Sequence, residues 1–386
     1  MNGFAKKTCL AMLAALPAFW LANCAGSADA AAEKHCATRF TIMSPYAGID
    51  WDAYGQYKAA LHAHTTRSDG RNTLAEMVEE HFAQGFDILA ITDHNIACRG
   101  WANGADALTQ ERLNEIAEGA GRGGRGMLRI PFANEQSRGQ HLNTFFADFT
   151  NARGATLRSN AEKTERLGGL SHINHPGRYT GGRMPGRLGA GASGNRRRIR
   201  NYAALFMEFP SLVGMEIVNK KDGQSTSDRI LWDNILRETV PQGRFVWGFS
   251  NDDSHSAGAI GYSFNIFVMP SNTLENFRDA MKRGSFYAVA RVARRELGRS
   301  FVGSGPFPAI RSVTVDEGAA TIAIAAAHYT RIDWIYAGSV VAQGSSISLA
   351  CHQRAIGSYV RANIIGPGGI SFTQPFGIAR QSAISP

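Results

Sequence analysis

The sequence predicts an α/β protein: a barrel of parallel strands alternating with helices, followed by a small β-sandwich. Apolar strand-like runs alternate with helix-patterned segments from Lys58 to Arg283. Such alternation builds a parallel sheet, and this number of units favours a barrel over an open sheet. The run over 86–92 is apolar almost throughout, as suits a strand covered on both faces. After about residue 300 the pattern changes to short β-type segments separated by glycine-containing turns.

Residues 31–57 carry few periodic signals and are expected to wrap the barrel entrance, with 58–62 as the first strand. Thr73-Leu74-Ala75-Glu76 reads as a capping box; Leu74, Met77, Val78 and Phe82 share one face, and Gly85 stops the helix. The next strand, over 86–92, ends at Asp93-His94. A helix over 109–120 precedes a strand over 127–133 that ends near Glu135. Strands over 141–149 and 170–174 flank a short helix over 161–167. A strand over 213–218, a helix over 228–239, a strand over 245–249 and a helix over 274–283 complete the barrel, assigned to residues 31–300. Segments over 310–315, 319–326, 332–336, 346–350 and 358–365 form the sandwich, assigned to 305–386.

At 386 residues and 44% hydrophobic content the chain is long and apolar enough for a buried core. Lys6 and Lys7 precede an apolar run over 9–21, which is too short for a membrane span and reads as an export signal occupying residues 1–30. A periplasmic product with no transmembrane segment is the expectation. Cleavage after Ala28-Asp29-Ala30 is favoured, while Leu21-Ala22-Asn23-Cys24 resembles a lipoprotein box with Asn23 where a small residue belongs; that second reading anchors the chain by lipid at Cys24. Of the five cysteines, Cys36, Cys98 and Cys351 remain after cleavage, and a Cys36–Cys98 bridge is one pairing an oxidising compartment permits. The net charge of +9 favours anionic substrates.

The chemistry collects where strands end. In Leu61-His62-Ala63-His64 the two imidazoles are two residues apart and face the same way from a strand, so they can grip one ion. Asp69, Asp93-His94, Glu135, His141, His175 and Asp253-Ser254-His255 follow, mostly just after apolar runs. In a β/α barrel the C-terminal strand ends carry the reaction. From Arg178 to Arg200 the chain holds seven arginines and no acid, which reads as a mobile basic loop able to bind phosphate oxygens. His328 and His352 stand alone in the C-terminal region and carry no such reading.

With its Leu61-His62-Ala63-His64-Thr65, Ser68-Asp69-Gly70, Ile91-Thr92-Asp93-His94-Asn95, Glu135, Gly139-Gln140-His141, His175-Pro176-Gly177 and Asp253-Ser254-His255, the chain resembles the polymerase and histidinol phosphatase (PHP) family of metal-dependent phosphoesterases over residues 55–290. The resemblance implies a distorted, TIM-like (β/α)7 barrel holding two or three divalent ions. By position, it implies a first ion on His62, His64, Glu135 and Asp253, a second on Glu135, His141 and His175, and a third on Asp69, His94 and His255. Gln140 departs from the glycine many relatives have there. His172 competes with His175 as the ligand; the His-Pro-Gly step favours His175, leaving His172 as a core histidine or a general acid.

Imidazole and carboxylate without thiolate suit zinc, manganese or iron. Asp93 is expected to orient an imidazole, and Arg138 and Arg178, each three residues after a ligand, to hold substrate oxygens. The resulting expectation is hydrolysis of a small phosphorylated substrate, a phosphomonoester or nucleotide phosphate, by a hydroxide held between ions. Alternatives are exonuclease-like cleavage of nucleic acid, and amide or carbamate hydrolysis on the same ions, which the sandwich's likeness to exported PHP-type hydrolases keeps in view. A metal-binding protein with an inactive site is the non-enzymatic alternative. The amidohydrolase superfamily shares a first-strand His-x-His but lacks the Asp-Ser-His arrangement seen here.

Overall fold

The computed structural model describes residues 39–180 and 193–381. The export segment, Cys24, Cys36, and Arg183 and Arg187 of the basic stretch lie outside the described residues.

The first strand, β1 (Arg39–Met43), precedes β2 (Gly55–Ala60), α1 (Leu74–Ala83), β3 (Ile88–Leu89), α2 (Gln110–Glu118) and β4 (Leu128–Arg129). The chain continues through β5 (Asn134–Gln136), β6 (Leu142–Phe145), α3 (Leu157–Arg166), β7 (Leu170–Ile173), α4 (Gly177–Thr180), α5 (Arg196–Glu208) and β8 (Leu212–Asn219). Then come α6 (Asp228–Thr239), β9 (Trp247–Asn251), β10 (Ser263–Met269), α7 (Leu274–Arg283), β11 (Phe286–Ala290) and α8 (Arg294–Leu297). The C-terminal strands are β12 (Ala309–Asp316), β13 (Thr321–Ala327), β14 (Arg331–Tyr336), β15 (Ser339–Gln343), β16 (Ser346–Ser348), β17 (Tyr359–Gly366), β18 (Gly369–Phe372) and β19 (Phe376–Gln381).

The fold is mixed α/β, and among the described residues its strands do not close into one hydrogen-bonded parallel barrel. Instead β5-β6-β7-β8-β9 form one sheet, while β2-β3-β4 belong to an eleven-stranded sheet that also contains β10 and β11. Pairing is parallel along β2-β3-β4 and β7-β8-β9 but antiparallel for β5-β6, β6-β7, β2-β10 and β10-β11. The five residues between β5 and β6 can make a hairpin but are too few for a parallel crossover. Short bridges join the two sheets, Ala63 to Ser254 and His94 to Glu135. Between β9 and β10 the Asn265 amide replaces backbone pairing: its Nδ2 donates to the Ser250 carbonyl (2.9 Å) and its Oδ1 accepts from the Ser250 N–H (3.0 Å).

The C-terminal region has two leaves. One is the separate sheet β12-β13-β16. The other, β14 with β17 and β18, continues into the main sheet where β18 pairs with β11 (Ala288 opposite Phe372). The N-terminal stretch read as aperiodic contributes β1, which pairs antiparallel with β19. Ile322, Trp334, Val360 and Ile364 consequently share a core with Met77, Phe86 and Phe264.

The stretch read as a mobile basic loop is partly helical. Asn195 caps α5 by accepting from the Arg198 N–H, and Ile199, Tyr202, Ala203 and Phe206 bury one helical face. Arg196, Arg197, Arg198 and Arg200 therefore lie on the first turns of a docked helix. Cys98 is buried, with Sγ directed to the Gly100 carbonyl. Among the described residues no helix is long and apolar enough to cross a membrane.

A buried histidine on α1 is expected to make the fold sensitive to acid. His81 on α1 is fully enclosed, its Nδ1–H donating to the Met77 carbonyl (2.7 Å). Burial pushes it down to about 4. The unfolded chain, titrating near 6.5, then binds the proton more readily. The contribution of neutral His81 is therefore complete above about pH 6.5 and declines as pH falls towards 4. Urea denaturation should show a loss between pH 7.5 and 5.0 that is smaller by about 2 kcal/mol in His81→Leu than in the parent. Equal losses would show that His81 is not responsible.

Candidate metal centre

Strand ends and a few polar side chains set the site. After β2 the chain stays extended, held by His64 N–H to Ser254 O (2.8 Å) and by the Asn143 amide donating to Leu61 O (2.9 Å). This directs His62 and His64 to one side, their rings 5.1 Å apart. Glu135 lies within β5, His141 directly precedes β6, and His175 follows β7. Both His175 (φ 27°) and Asp253 (φ 46°) adopt left-handed backbone, a conformation that costs energy and tends to occur where a side chain must be aimed.

The structure brings all nine expected ligands into one continuous cluster. His62, His64 and Asp253 form one donor group; His62, Glu135 and His175 a second; His94, Glu135 and His141 a third; and His64, Asp69, His94 and His255 a fourth, with donor atoms within 4.8 Å of one another in each. Glu135 belongs to two of these groups, as do His62, His64 and His94. Glu135 Oε1 lies 2.9 Å from His141 Nδ1 and 3.2 Å from His175 Nε2, and its Oε2 2.7 Å from His94 Nδ1. Asp253 Oδ1 is 3.2 Å from His64 Nε2 and 3.5 Å from His62 Nε2. Asp69, half-exposed at the rim, approaches His255 (3.3 Å) and His94 (3.5 Å).

Electrostatics agree with a cluster that needs positive charge. Burial alone would raise the Glu135 and Asp253 carboxyls, yet the adjoining imidazoles, His62 foremost, hold both well below the carboxylate range. Burial would lower His62, but Asp253, Glu135 and Glu216 together hold it well above the usual imidazole value. Among the described residues, His62 Nε2 and His64 Nε2 are buried and make no hydrogen bond. Buried polar atoms ordinarily have partners; a hard or borderline divalent cation, sharing these nitrogens with Glu135 and Asp253, supplies one. The residues fit such ions.

Two residues outside the expected set complete the site. Glu216, enclosed on β8, accepts from the His62 Nδ1–H (2.8 Å), the His175 N–H (2.8 Å), and the amides of Asn219 and Asn251 (2.9 Å each). It fixes the His62 tautomer, leaving Nε2 for an ion, and clamps the strained His175 backbone. The legible signal was the one acid inside the apolar stretch Val213-Gly214-Met215-Glu216-Ile217-Val218. Glu216→Gln is expected to cost about 10- to 100-fold in metal affinity, read by titrating the metal-free protein; affinity within twofold of the parent would remove it from this role. The second residue is Lys220, whose Nζ lies 3.3 Å from Asp253 Oδ2.

The remaining expected residues sit outside the ligand cluster, in surroundings of their own. Among the described residues Asp93 touches no imidazole directly: Oδ1 accepts from the Thr65 N–H (2.7 Å) and the Ser68 hydroxyl (2.6 Å), and Oδ2 from the Thr65 hydroxyl (2.7 Å). It holds down the loop that carries Asp69. A side chain at Gly70 would come within 2.7 Å of the His64 carbonyl, so this loop also packs closely. His172 enters none of the donor groups. It is buried against Phe249 (4.6 Å, stacked) and Phe145 (5.5 Å), and burial pushes it down to about 4. Arg138 is exposed on the turn between β5 and β6, and Arg178 donates to Gln224 Oε1 (3.1 Å). Among the described residues neither forms an ion pair with a ligand carboxylate.

No protein-family model matches the chain. A stretch of 64 residues, 17% of the chain, is 41% identical to the DNA polymerase/3'-5' exonuclease PolX of Bacillus subtilis, and this match spans 10% of that protein's length. Among solved structures, a two-domain Bacteroides vulgatus protein described as containing a predicted PHP-like metal-dependent phosphoesterase aligns over 85% of the chain and 88% of its own, at 14% identity and a TM-score of 0.44. A lesion-specific endonuclease from Pyrococcus furiosus aligns over 59% of the chain and 56% of its own (15% identity, TM-score 0.34). An amidohydrolase from Chromobacterium violaceum, with sulfate bound and no metal, aligns over 60% of the chain and 97% of its own (15% identity, TM-score 0.34).

Proposed function

We propose that this chain, which resembles the PHP family in its ordered ligand motifs, is a metal-dependent hydrolase acting on phosphoric esters, with a small phosphomonoester or nucleotide phosphate as substrate. The observation that carries the proposal is the gathering of nine imidazole and carboxylate side chains, Glu135 among them, from segments between residue 62 and residue 255. Surface acids alone do not produce a buried set with unpartnered nitrogens.

His62, His64, Glu135 and Asp253 would hold one ion; Glu135, His141 and His175 a second; Asp69, His94 and His255 a third, with His64 within reach of it. Two to three ions of zinc, manganese or iron suit the donor types. When bound, such ions lower the pKa of water and neutralise charge on the oxygens of the group under attack. The protein's own part is geometric. Glu216 orients His62, and Asn174 donates to Glu135 Oε1 (2.8 Å), so the shared carboxylate is fixed from behind. Asp93 keeps the Asp69 loop over the site. Export to the periplasm belongs to the same proposal and rests on Lys6, Lys7 and the apolar run that follows.

Cleavage of an amide or carbamate, or of a nucleic-acid phosphodiester, uses the same donors, so substrate decides among them. The mature protein should contain two to three ions per chain by elemental analysis and release phosphate from mononucleotides, with Asp253→Ala lacking both. Full occupancy without phosphate release from mononucleotides, nucleoside bisphosphates or short oligonucleotides would overturn the phosphoester assignment and leave carbamates and amides as the class to screen.

A further inference from the structure

We propose that Lys220 is the residue that binds an anionic oxygen of the substrate at the metal centre. The inference rests on the phosphoesterase reading above and adds the group that recognises the phosphoryl moiety. Lys220 follows β8 directly and places Nζ 3.3 Å from Asp253 Oδ2. Among the described residues it is the one lysine or arginine in an ion pair with a ligand carboxylate; every other such pair of Asp69, Glu135 and Asp253 is with a histidine.

The backbone beneath Lys220 is held rigidly in an unfavourable conformation. Its φ is 54°, left-handed for a side-chain-bearing residue. The Lys220 N–H donates to Asn251 O (2.9 Å), and the Lys220 carbonyl accepts from the Ser263 hydroxyl (2.8 Å). Two residues on, Asp222 (φ 53°) is fixed by the Ser225 hydroxyl (2.7 Å), the Arg229 guanidinium (2.8 and 3.0 Å) and the Arg294 N–H (2.7 Å). On this fixed base the side chain itself is 43% exposed. A rigid anchor with a half-solvated ammonium suits a group that must meet an arriving ligand.

Charge gives the direction. With Asp253 committed to an ion, its hold on Lys220 weakens, and an ammonium close to cations gains most by pairing with an anion that those cations also attract. A tetrahedral oxyanion such as a phosphoryl group provides oxygens for both. A purely structural ion pair with Asp253 would instead make Lys220 matter to metal retention.

The test uses metal-reconstituted parent, Lys220→Met and Lys220→Arg, with ion content measured by elemental analysis and inorganic phosphate binding by calorimetry. Lys220→Met should keep the parental ion content and bind phosphate about 10- to 100-fold more weakly, with Lys220→Arg recovering part of the loss. Phosphate binding equal in the parent and Lys220→Met would overturn the inference alone. Loss of ions from Lys220→Met would overturn it in favour of a ligand-positioning role. No phosphate binding by fully loaded parent protein would overturn the phosphoesterase reading and, with it, this inference.

Discussion

Replacing Glu135 with glutamine is expected to abolish turnover, by on the order of a thousandfold or more, and to release at least one ion per chain. The size follows from position. Glu135 approaches His94, His141 and His175 within 3.2 Å and His62 and His64 within 3.5 Å. It thus belongs to two donor groups that would hold separate ions. Glutamine keeps the shape and removes the charge; one of its two terminal atoms becomes an NH₂ that cannot bind a cation. Loss of a single Lewis-acid contact is worth several kcal/mol in the transition state, and each 1.36 kcal/mol is tenfold in rate. Elemental analysis beside a rate measurement checks both parts. A variant that keeps all its ions and more than a tenth of its activity would remove Glu135 from the centre of the site.

Much of this site was legible because each ligand sits in a local pattern: an alternating pair at His62 and His64, and acids or imidazoles just beyond apolar runs at His94, His175 and Asp253. What the sequence concealed was everything set by contacts between distant segments. Glu216 is 154 residues from His62, its hydrogen-bond partner, and nothing in local spacing joins them. Asp93 sits next to a ligand in sequence but directs its oxygens to Thr65 and Ser68, because its neighbour His94 faces Glu135 instead. His172 and His175 are alternatives only in sequence; the first is sealed between Phe145 and Phe249. The fold shows the same division. The helix cap at Thr73 was readable, whereas antiparallel pairing of β10 with β2 depends on partners more than two hundred residues away.

The most consequential of those long-range contacts joins the C-terminal strands to the wall of the site, and breaking it should unfold the whole protein more easily. Arg361 on β17 donates from Nε and Nη2 to the two oxygens of Asp233 on α6 (2.8 and 2.7 Å), with both side chains at most 3% exposed. The Tyr359 hydroxyl adds a third hydrogen bond to Asp233 (2.8 Å), and the guanidinium lies over the Trp232 ring. A buried pair of this kind contributes little over an apolar pair of the same volume, but removing one partner strands the other charge at a cost of about 3–5 kcal/mol. Arg361→Ala should therefore lower the unfolding free energy by that amount, while the double replacement Asp233→Leu with Arg361→Met should recover most of the loss. The shape of the transition carries as much information as its midpoint. Helix α6 directly follows the β8–Lys220 segment bearing Glu216 and Lys220, and β18 is hydrogen-bonded to β11, so the region beyond residue 305 is structurally continuous with the metal-binding part. Urea unfolding followed by tryptophan fluorescence and by release of bound ions should then give one shared transition in parent and variant alike. Two separated transitions, or a cost below 1 kcal/mol for Arg361→Ala, would show instead that the C-terminal strands fold on their own and leave the site unbraced.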